Sequence, residues 1–323
     1  MLALMRMTIR TATDAVVMLA LAGAGLYVTS AAQAQTAKDE YVDARNTSVD
    51  VARVWSKPGN HKLTIILPPY GGDQTYYNAS KLPGYLASQG IDFAVLFTET
   101  TGYNQPADLA RLDVLIAHLV STHGYEPNKV VLGGFSAGGY GAFRYTLRKL
   151  RGDALAILPA ALISVDAPLD IERWYRGMNL FVQRTDDKNP FRGESQYLTQ
   201  MYRELLGGTP DEKPEAYREQ SILTASLPDG GNAVYFRHMP MRLYSEPDMD
   251  FFVPYGYDYG SINASDQVSL AAIARAQGNA DVSLVLTSGK GYRADLGNRR
   301  LPHSWSIVDE AELARWITAH LKG

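Results

Sequence analysis

The sequence contains no cysteine among its 323 residues. This excludes disulfide bonds, and it also excludes the lipid-modified cysteine by which a lipoprotein is anchored. The sequence also has no excess of basic residues: it contains 31 Lys and Arg and 34 Asp and Glu, which give a formal net charge of -3. Because no basic patch is present to neutralise phosphates, we do not expect nucleic acid as a partner.

One long apolar run, Ala15 to Val28, lies near the N-terminus behind two arginines. It is shorter than the roughly 20 residues needed to cross a bilayer. Ala32 and Ala34 supply the small side chains that signal peptidase requires. We therefore expect residues 1–34 to be a signal peptide cleaved near Gln35, and the protein to be periplasmic or secreted with no membrane span. The alternative is an uncleaved anchor.

From about residue 48 the chain alternates apolar strand-like runs with helix-like stretches. This alternation predicts an α/β fold, in which a mostly parallel sheet is flanked by helices on both faces. The predicted strands are 48–55, 63–67, 93–97, 130–133, 161–165, 241–244 and 282–286, and the predicted helices are 79–89, 107–123, 139–151, 261–276 and 309–321.

The alternation is interrupted between about residues 169 and 238. This segment is too long for a simple loop and contains helical patterns around 171–184 and 195–206. We interpret it as a helical cap inserted into one domain that spans residues 35–323. Such a cap would cover the strand ends, where open α/β sheets place their sites. The alternative is a surface excursion with no part in substrate binding.

A candidate nucleophile, Ser136, lies between the predicted strand 130–133 and the helix that begins near Gly139. A serine at a tight strand-to-helix turn projects its hydroxyl above the sheet, and the crowding there requires small residues two before and two after it. Gly134 and Gly138 occupy these positions. The helix N-terminus adds partial positive charge where an oxyanion would form. The alternative is a glycine-rich turn whose serine only caps the helix.

A serine nucleophile needs a histidine base, and His303 is the candidate among six histidines. It follows the last predicted strand, which is where this chain order places the base. We expect the other five to be structural. The orienting acid is expected after the strand before last, and Asp248 has the usual spacing there. Glu246 and Asp250 stay open as alternatives.

The oxyanion hole needs two backbone N–H groups. One is expected from Ala137, the residue after the nucleophile, and the other from the loop that follows the strand 63–67. That loop contains Pro68 and Pro69, which lack an N–H group, so Gly71 or Gly72 is the predicted second donor.

With these parts in order, the chain resembles the α/β-hydrolase superfamily over essentially all of residues 35–323. The segments 205–212 and 214–218 are similar to those of secreted esterases and oligopeptidase-like hydrolases. The segments 244–248 and 302–309 resemble a branch of exported bacterial hydrolases. Tyr70 departs from the histidine that many esterases carry in their oxyanion loop.

These residues predict a serine hydrolase that cleaves a carboxylic ester through an acyl-enzyme, with no metal ion and no organic cofactor. The expected partner is a small-molecule ester or peptide. A serine peptidase and a non-catalytic binding protein on the same fold are the alternatives. The candidate substrate-lining residues are aromatic: Tyr70, Trp174, Phe251 and Phe252.

Overall fold

The computed structural model describes residues 36–42, 50–98, 102–293 and 296–322. The predicted signal peptide and its cleavage site lie outside these residues. Over the described ranges, no helix combines the length and the apolar character needed to cross a membrane.

Eight strands of the described residues form one twisted sheet in the order β1-β2-β4-β3-β5-β6-β7-β8. Neighbours from β4 to β8 are parallel, whereas β1 and β2 are antiparallel to their partners. The mostly parallel α/β sheet predicted from the sequence is thus confirmed. The strands are β1 Lys38–Tyr41, β2 Asp50–Trp55, β3 Lys62–Leu67, β4 Ile91–Thr98, β5 Val130–Phe135, β6 Ala161–Val165, β7 Met241–Ser245 and β8 Val282–Leu286, and a separate short hairpin comprises β9 Tyr292–Arg293 and β10 Arg299–Arg300.

Helices cover both faces of the sheet because successive strand residues point to opposite sides. Leu63, Ile65 and Leu132 pack on the face covered by α2, α3 and α8, while Ile66 and Val131 pack on the face covered by α1 and α9. Each such buried side chain contributes roughly 1.5–3 kcal/mol. The α-helices are α1 Leu82–Ala87, α2 Pro106–His123, α3 Ala137–Leu150, α4 Ile171–Arg184, α5 Arg192–Leu206, α6 Pro214–Gln220, α7 Met249–Phe252, α8 Ala264–Ala276 and α9 Glu310–His320.

The segment between β6 and β7 contains α4, α5 and α6. Its entry is fixed to the sheet domain by Asp266 of α8, whose Oδ2 accepts the N–H groups of Leu169 at 2.8 Å and Asp170 at 3.1 Å. Asp266 also binds the guanidinium of Arg173 at 2.6 Å. Burial and the neighbouring Asp266 raise the pKa of Asp170 to about 6, despite N–H groups from Arg173 and Ala225 that favour its charged form. The attachment of this segment therefore includes a carboxyl group that changes charge near pH 6.

Candidate active site

Ser136 lies at the tight turn between β5 and α3, as the sequence predicted. Its φ of 54° and ψ of -123° are unusual for a residue other than glycine and cost of order 1–3 kcal/mol. The turn is held in part by the Ser136 N–H, which donates to the carbonyl oxygen of Val165 at 2.9 Å. The strain is thus built into the backbone that presents the hydroxyl.

The glycines that flank Ser136 are required by close backbone contacts. A Cβ atom on Gly134 would lie 2.3 Å from the carbonyl carbon of Gly138, and one on Gly138 would lie 2.2 Å from the carbonyl oxygen of Leu67. Neither contact can be relieved by moving a side chain, because both involve backbone atoms. The two glycines therefore let α3 start directly against the ends of β3 and β5.

Ser136, His303 and Asp166 form one hydrogen-bonded chain. His303 Nε2 lies 3.0 Å from Ser136 Oγ, and His303 Nδ1 lies 2.6 Å from Asp166 Oδ2. A carboxylate only accepts hydrogen bonds, so Nδ1 carries a proton and donates a hydrogen bond to Asp166. Nε2 is then the acceptor for the Ser136 hydroxyl, which is the tautomer that a general base needs.

Asp166 follows directly after β6 and is held from several sides. Its N–H donates to the carbonyl oxygen of Tyr244 at 2.8 Å, and the Asn263 side chain donates to the Asp166 carbonyl at 2.9 Å. The fully buried Ser245 hydroxyl, at the end of β7, donates a short hydrogen bond to Oδ1. With Oδ2 on His303, both carboxylate oxygens are occupied, and a φ of 47° fixes the residue in the left-handed region.

The prediction that Asp248 contacts His303 is therefore wrong, because Asp166 occupies that position. Asp248 caps α7, where its Oδ1 accepts the N–H of Phe251 at 3.1 Å, and its other oxygen pairs with Arg300. The acid was predicted after β7, whereas the carboxylate that contacts His303 follows β6. Asp166 comes immediately after a buried apolar strand, but so does Glu246, so this position alone does not distinguish the two carboxylates.

Neither alternative acid reaches the histidine. Asp250 is exposed. Glu246 is buried, and its Oε1 lies 2.5 Å from the Arg300 guanidinium. Burial alone would raise the pKa of Glu246, but hydrogen bonds from Lys290 N–H, the Thr287 hydroxyl and Gly291 N–H, together with the Arg300 charge, hold it below its usual value. Glu246 and Asp248 thus brace the chain segment that leads to His303.

The other histidines are remote from this chain of hydrogen bonds. Among the described residues that line the cavity next to Ser136, His303 is the one histidine. His123 Nε2 lies 3.0 Å from Glu40, while His320 Nδ1 donates to the Trp316 carbonyl at 2.8 Å and its Nε2 lies 3.1 Å from Asp281. The partners of these two histidines are thus carboxylates and backbone away from the cavity.

The predicted oxyanion loop lies beside Ser136, since Gly71, Gly72 and Ala137 all line the same cavity. The Gly72 N–H donates to the Pro69 carbonyl at 2.9 Å, so it is not available to a substrate. Within the described ranges, no hydrogen bond uses the N–H groups of Gly71 or Ala137. Of the two glycines, Gly71 is therefore the one with a usable donor, and Ala137 begins α3, where the helix dipole favours negative charge.

A cavity of about 330 Å³ opens onto Ser136 and His303, near the lower end of the range for ligand sites. Residues of α4 and α5 line part of it, so the segment 169–238 borders the candidate site. Of the predicted lining residues, Tyr70, Trp174 and Phe252 are present. Many of the other lining residues come from distant segments and were not predicted from the sequence: Asn104, Tyr140, Met178, Phe191, Glu194, Leu198, Met201, Tyr202 and Ile262.

Phe251 is the predicted lining residue that the cavity does not include. Its ring packs edge-on against Phe252 at 5.3 Å and lies 5.9 Å from the Arg300 guanidinium. Phe251 therefore packs against Phe252 and Arg300 and does not line the cavity. Over the described residues, no group of three or more His, Asp or Glu side chains is arranged to hold a metal ion.

Several solved structures have a fold similar to that of this chain. A thermostable carboxylesterase from a metagenomic library, EstE1, is similar with a TM-score of 0.59 at 12% identity over 90% of each chain. An esterase of the bacterial hormone-sensitive lipase family gives a TM-score of 0.54 at 15% identity, over 88% of this chain and 85% of its own. MPT51 of Mycobacterium tuberculosis gives 0.55 at 11% identity, over 84% and 94%.

The chain has the α/β-hydrolase fold. No protein-family model and no curated sequence matches it. In the α/β-hydrolase fold the nucleophile, acid and histidine follow in that order along the chain. Ser136, Asp166 and His303 occur in this order along the chain, and so do Ser136, Asp248 and His303.

Proposed function

We propose that this protein is a serine hydrolase that cleaves carboxylic esters, with Ser136 as nucleophile, His303 as general base and Asp166 as the orienting acid. The observation that carries the proposal is the continuous chain from Ser136 Oγ through His303 to Asp166, with distances of 3.0 and 2.6 Å. The similar solved structures described as esterases support the same reaction class. We further propose that residues 1–34 direct export, as their pattern suggests.

In the first half of the reaction, His303 Nε2 takes the proton from Ser136 as Oγ attacks the ester carbonyl carbon. The N–H groups of Ala137 and Gly71 stabilise the oxyanion that forms. The carbon–oxygen bond to the alcohol then breaks, and protonated His303 gives its proton to the departing alkoxide. The acyl group is left on Ser136 as an ester.

In the second half, His303 takes a proton from water while the water oxygen attacks the acyl-enzyme. Collapse of the second oxyanion returns the proton to Ser136 Oγ and releases the carboxylic acid. Asp166 remains ionised throughout and stabilises the positive charge on His303.

Two features favour ester hydrolysis over the alternatives. The cavity of about 330 Å³ beneath α4 and α5 suits a small acyl group better than a folded or extended peptide. The strained φ of Ser136 costs free energy that a binding protein has no reason to retain. The peptidase and binding-protein readings are therefore less well supported.

The proposal predicts a dependence on acyl length. With para-nitrophenyl esters, kcat/KM is expected to be highest for acetyl to hexanoyl groups and to fall at least about tenfold for dodecanoyl, because a cavity near 300 Å³ cannot enclose the longer chain. The measurement is the initial rate of nitrophenol release by the purified protein. A well-folded protein without any esterase activity, or one that prefers the long chain, contradicts the proposal.

The fully buried Ser245 is expected to position Asp166. Changing Ser245 to alanine removes the hydroxyl that donates to Asp166 Oδ1, and the loss of a hydrogen bond to a charged group is expected to lower kcat about tenfold with little change in KM. Ser164→Ala is the matched control, since Ser164 is equally buried on the neighbouring strand and its hydroxyl has no partner among the described residues. Equal kcat values for the two variants would remove Ser245 from the site.

A further inference from the structure

A second depression adjoins the cavity and is referred to below as the groove. Its volume is about 700 Å³, and Gly71, Gly72, Tyr76 and Arg293 line both spaces. One wall is the oxyanion loop and its continuation to Tyr85. The other wall is formed by residues that directly follow His303, together with Tyr292. Ser136 and His303 line the cavity, and the groove adjoins that cavity through the oxyanion loop.

Aromatic contacts connect the histidine to the groove. The ring of His303 lies 4.7 Å from that of Phe135, which stacks on Tyr76 at 6.2 Å. Tyr76 meets Tyr77 at 5.0 Å, and Tyr77 meets Trp305 at 4.8 Å. The buried Tyr77 hydroxyl donates to the Leu67 carbonyl at the end of β3. The groove surface is thus packed directly against the residues that hold the reacting groups.

The reaction itself decides which half of an ester lies in the groove. The departing alkoxide must take its proton from His303 Nε2, so the alcohol half leaves on the side of the histidine. Ser304, Trp305 and Ser306 continue from His303 along the groove wall. The acyl half then lies in the cavity, whose lining includes the apolar side chains of Met178, Leu198 and Ile262.

The chemistry of the groove fits a neutral, hydroxyl-rich alcohol. Tyr85 and Tyr292 line the groove and are 40% and 41% exposed, and the Arg300 guanidinium lies over the Tyr292 ring at 5.6 Å. The charged side chains are nearly balanced in sign: Asp73, Lys81, Arg293, Asp309 and Glu310. An alkyl chain would desolvate these charges without compensation. A sugar ring has an apolar face for an aromatic ring and hydroxyls for the carboxylates and hydroxyl groups around it.

Building on the proposed ester hydrolysis, we propose that the groove binds the alcohol half of the substrate and that this alcohol is a saccharide. The protein is then a deacylase of acylated sugars. The cavity takes a small acyl group and the groove takes the sugar that carries it. The sugar is recognised by Tyr85 and Tyr292 on opposite walls, next to the loop that holds the oxyanion.

The test compares two esters that share an acyl group and differ in the alcohol: methyl benzoate and methyl glucoside benzoylated at its primary hydroxyl. Both release an alkyl alcohol, so differences in kcat/KM report contacts with the sugar. Wild-type protein is expected to prefer the sugar ester about tenfold, since two ring contacts of ordinary strength together give about that factor. Tyr85→Ala removes one of the two contacts and is expected to reduce this preference about threefold.

Tyr235→Ala is the matched control, because Tyr235 is 42% exposed and lines neither the cavity nor the groove. It should leave the preference unchanged. Independently of any variant, free methyl glucoside should inhibit methyl benzoate hydrolysis competitively. No preference for the sugar ester together with no inhibition overturns the inference while leaving ester hydrolysis intact. Failure of wild-type protein to hydrolyse these esters and the short para-nitrophenyl esters overturns the proposed function instead.

Discussion

Replacing Ser136 with alanine is expected to lower kcat for ester hydrolysis by about 10⁵- to 10⁶-fold. In the proposed mechanism the Ser136 hydroxyl forms the acyl-enzyme. It is also the group whose proton His303 Nε2 accepts, at 3.0 Å. Alanine also fits the strained backbone no worse than serine, because both carry a Cβ atom at φ 54°. The loss is therefore expected in chemistry and not in folding.

The measurement is kcat for a short para-nitrophenyl ester, with the thermal unfolding midpoint measured on the same samples. Ser164→Ala is the control, since it removes a buried hydroxyl from the adjacent strand without touching His303. A Ser136→Ala variant that keeps more than about one hundredth of wild-type kcat would show that another residue is the nucleophile.

Replacing Asp166 with asparagine is expected to lower kcat about 10⁴-fold. An amide at this position can donate its N–H₂ group to His303 Nδ1, which favours the tautomer with the proton on Nε2. That tautomer cannot accept the Ser136 proton. The position of the residue is otherwise preserved, because its bonds to the Tyr244 carbonyl and the Asn263 side chain are made by its own backbone N–H and carbonyl groups.

Asp248→Asn is the discriminating comparison and is expected to lower kcat less than about tenfold. Asp248 is partly exposed and shares Arg300 with the fully buried Glu246, so the guanidinium keeps its second carboxylate in the variant. Parallel measurements of kcat and of circular dichroism would separate catalysis from folding. A large loss in Asp248→Asn with near-normal turnover in Asp166→Asn would restore the acid predicted from the sequence.

Much of the site could be predicted because its local signals are strong. Ser136 stands between a buried strand and a helix, and Gly134 and Gly138 are required by backbone contacts on either side. His303 follows the last strand of the parallel sheet, where the topology alone selects it from six histidines. Strand and helix positions followed from apolar periodicity, and the structure confirms the predicted strands from β3 to β8 closely.

The acid could not be selected from the sequence because carboxylates follow both β6 and β7. Asp166 and Glu246 each come directly after a buried strand, and Asp248 comes two residues later. What separates them is Arg300, which lies 52 residues beyond Asp248 and binds both Glu246 and Asp248. A long-range ion pair of this kind leaves no periodic signal, so the usual position of the acid was favoured instead.

Two smaller differences have the same origin in tertiary contacts. Gly72 was an equal candidate for the oxyanion hole until its N–H proved to close a turn on Pro69. Phe251 lies in the aromatic segment after Asp248, but its ring packs below Arg300 instead of facing the cavity. Residue type and spacing identified the right loops. Which backbone N–H group and which side chain in them face the cavity depends on hydrogen bonds and ring contacts that the sequence pattern does not show.

The central claim is that His303 activates Ser136 as a nucleophile. The most direct measurement is to treat the purified protein with a fluorophosphonate and to locate the modified residue by mass spectrometry of its peptides. We expect one phosphonate on the peptide that contains Ser136, with labelling abolished in Ser136→Ala and strongly slowed in His303→Ala. Labelling of a different residue, or of none in well-folded protein, would contradict the account.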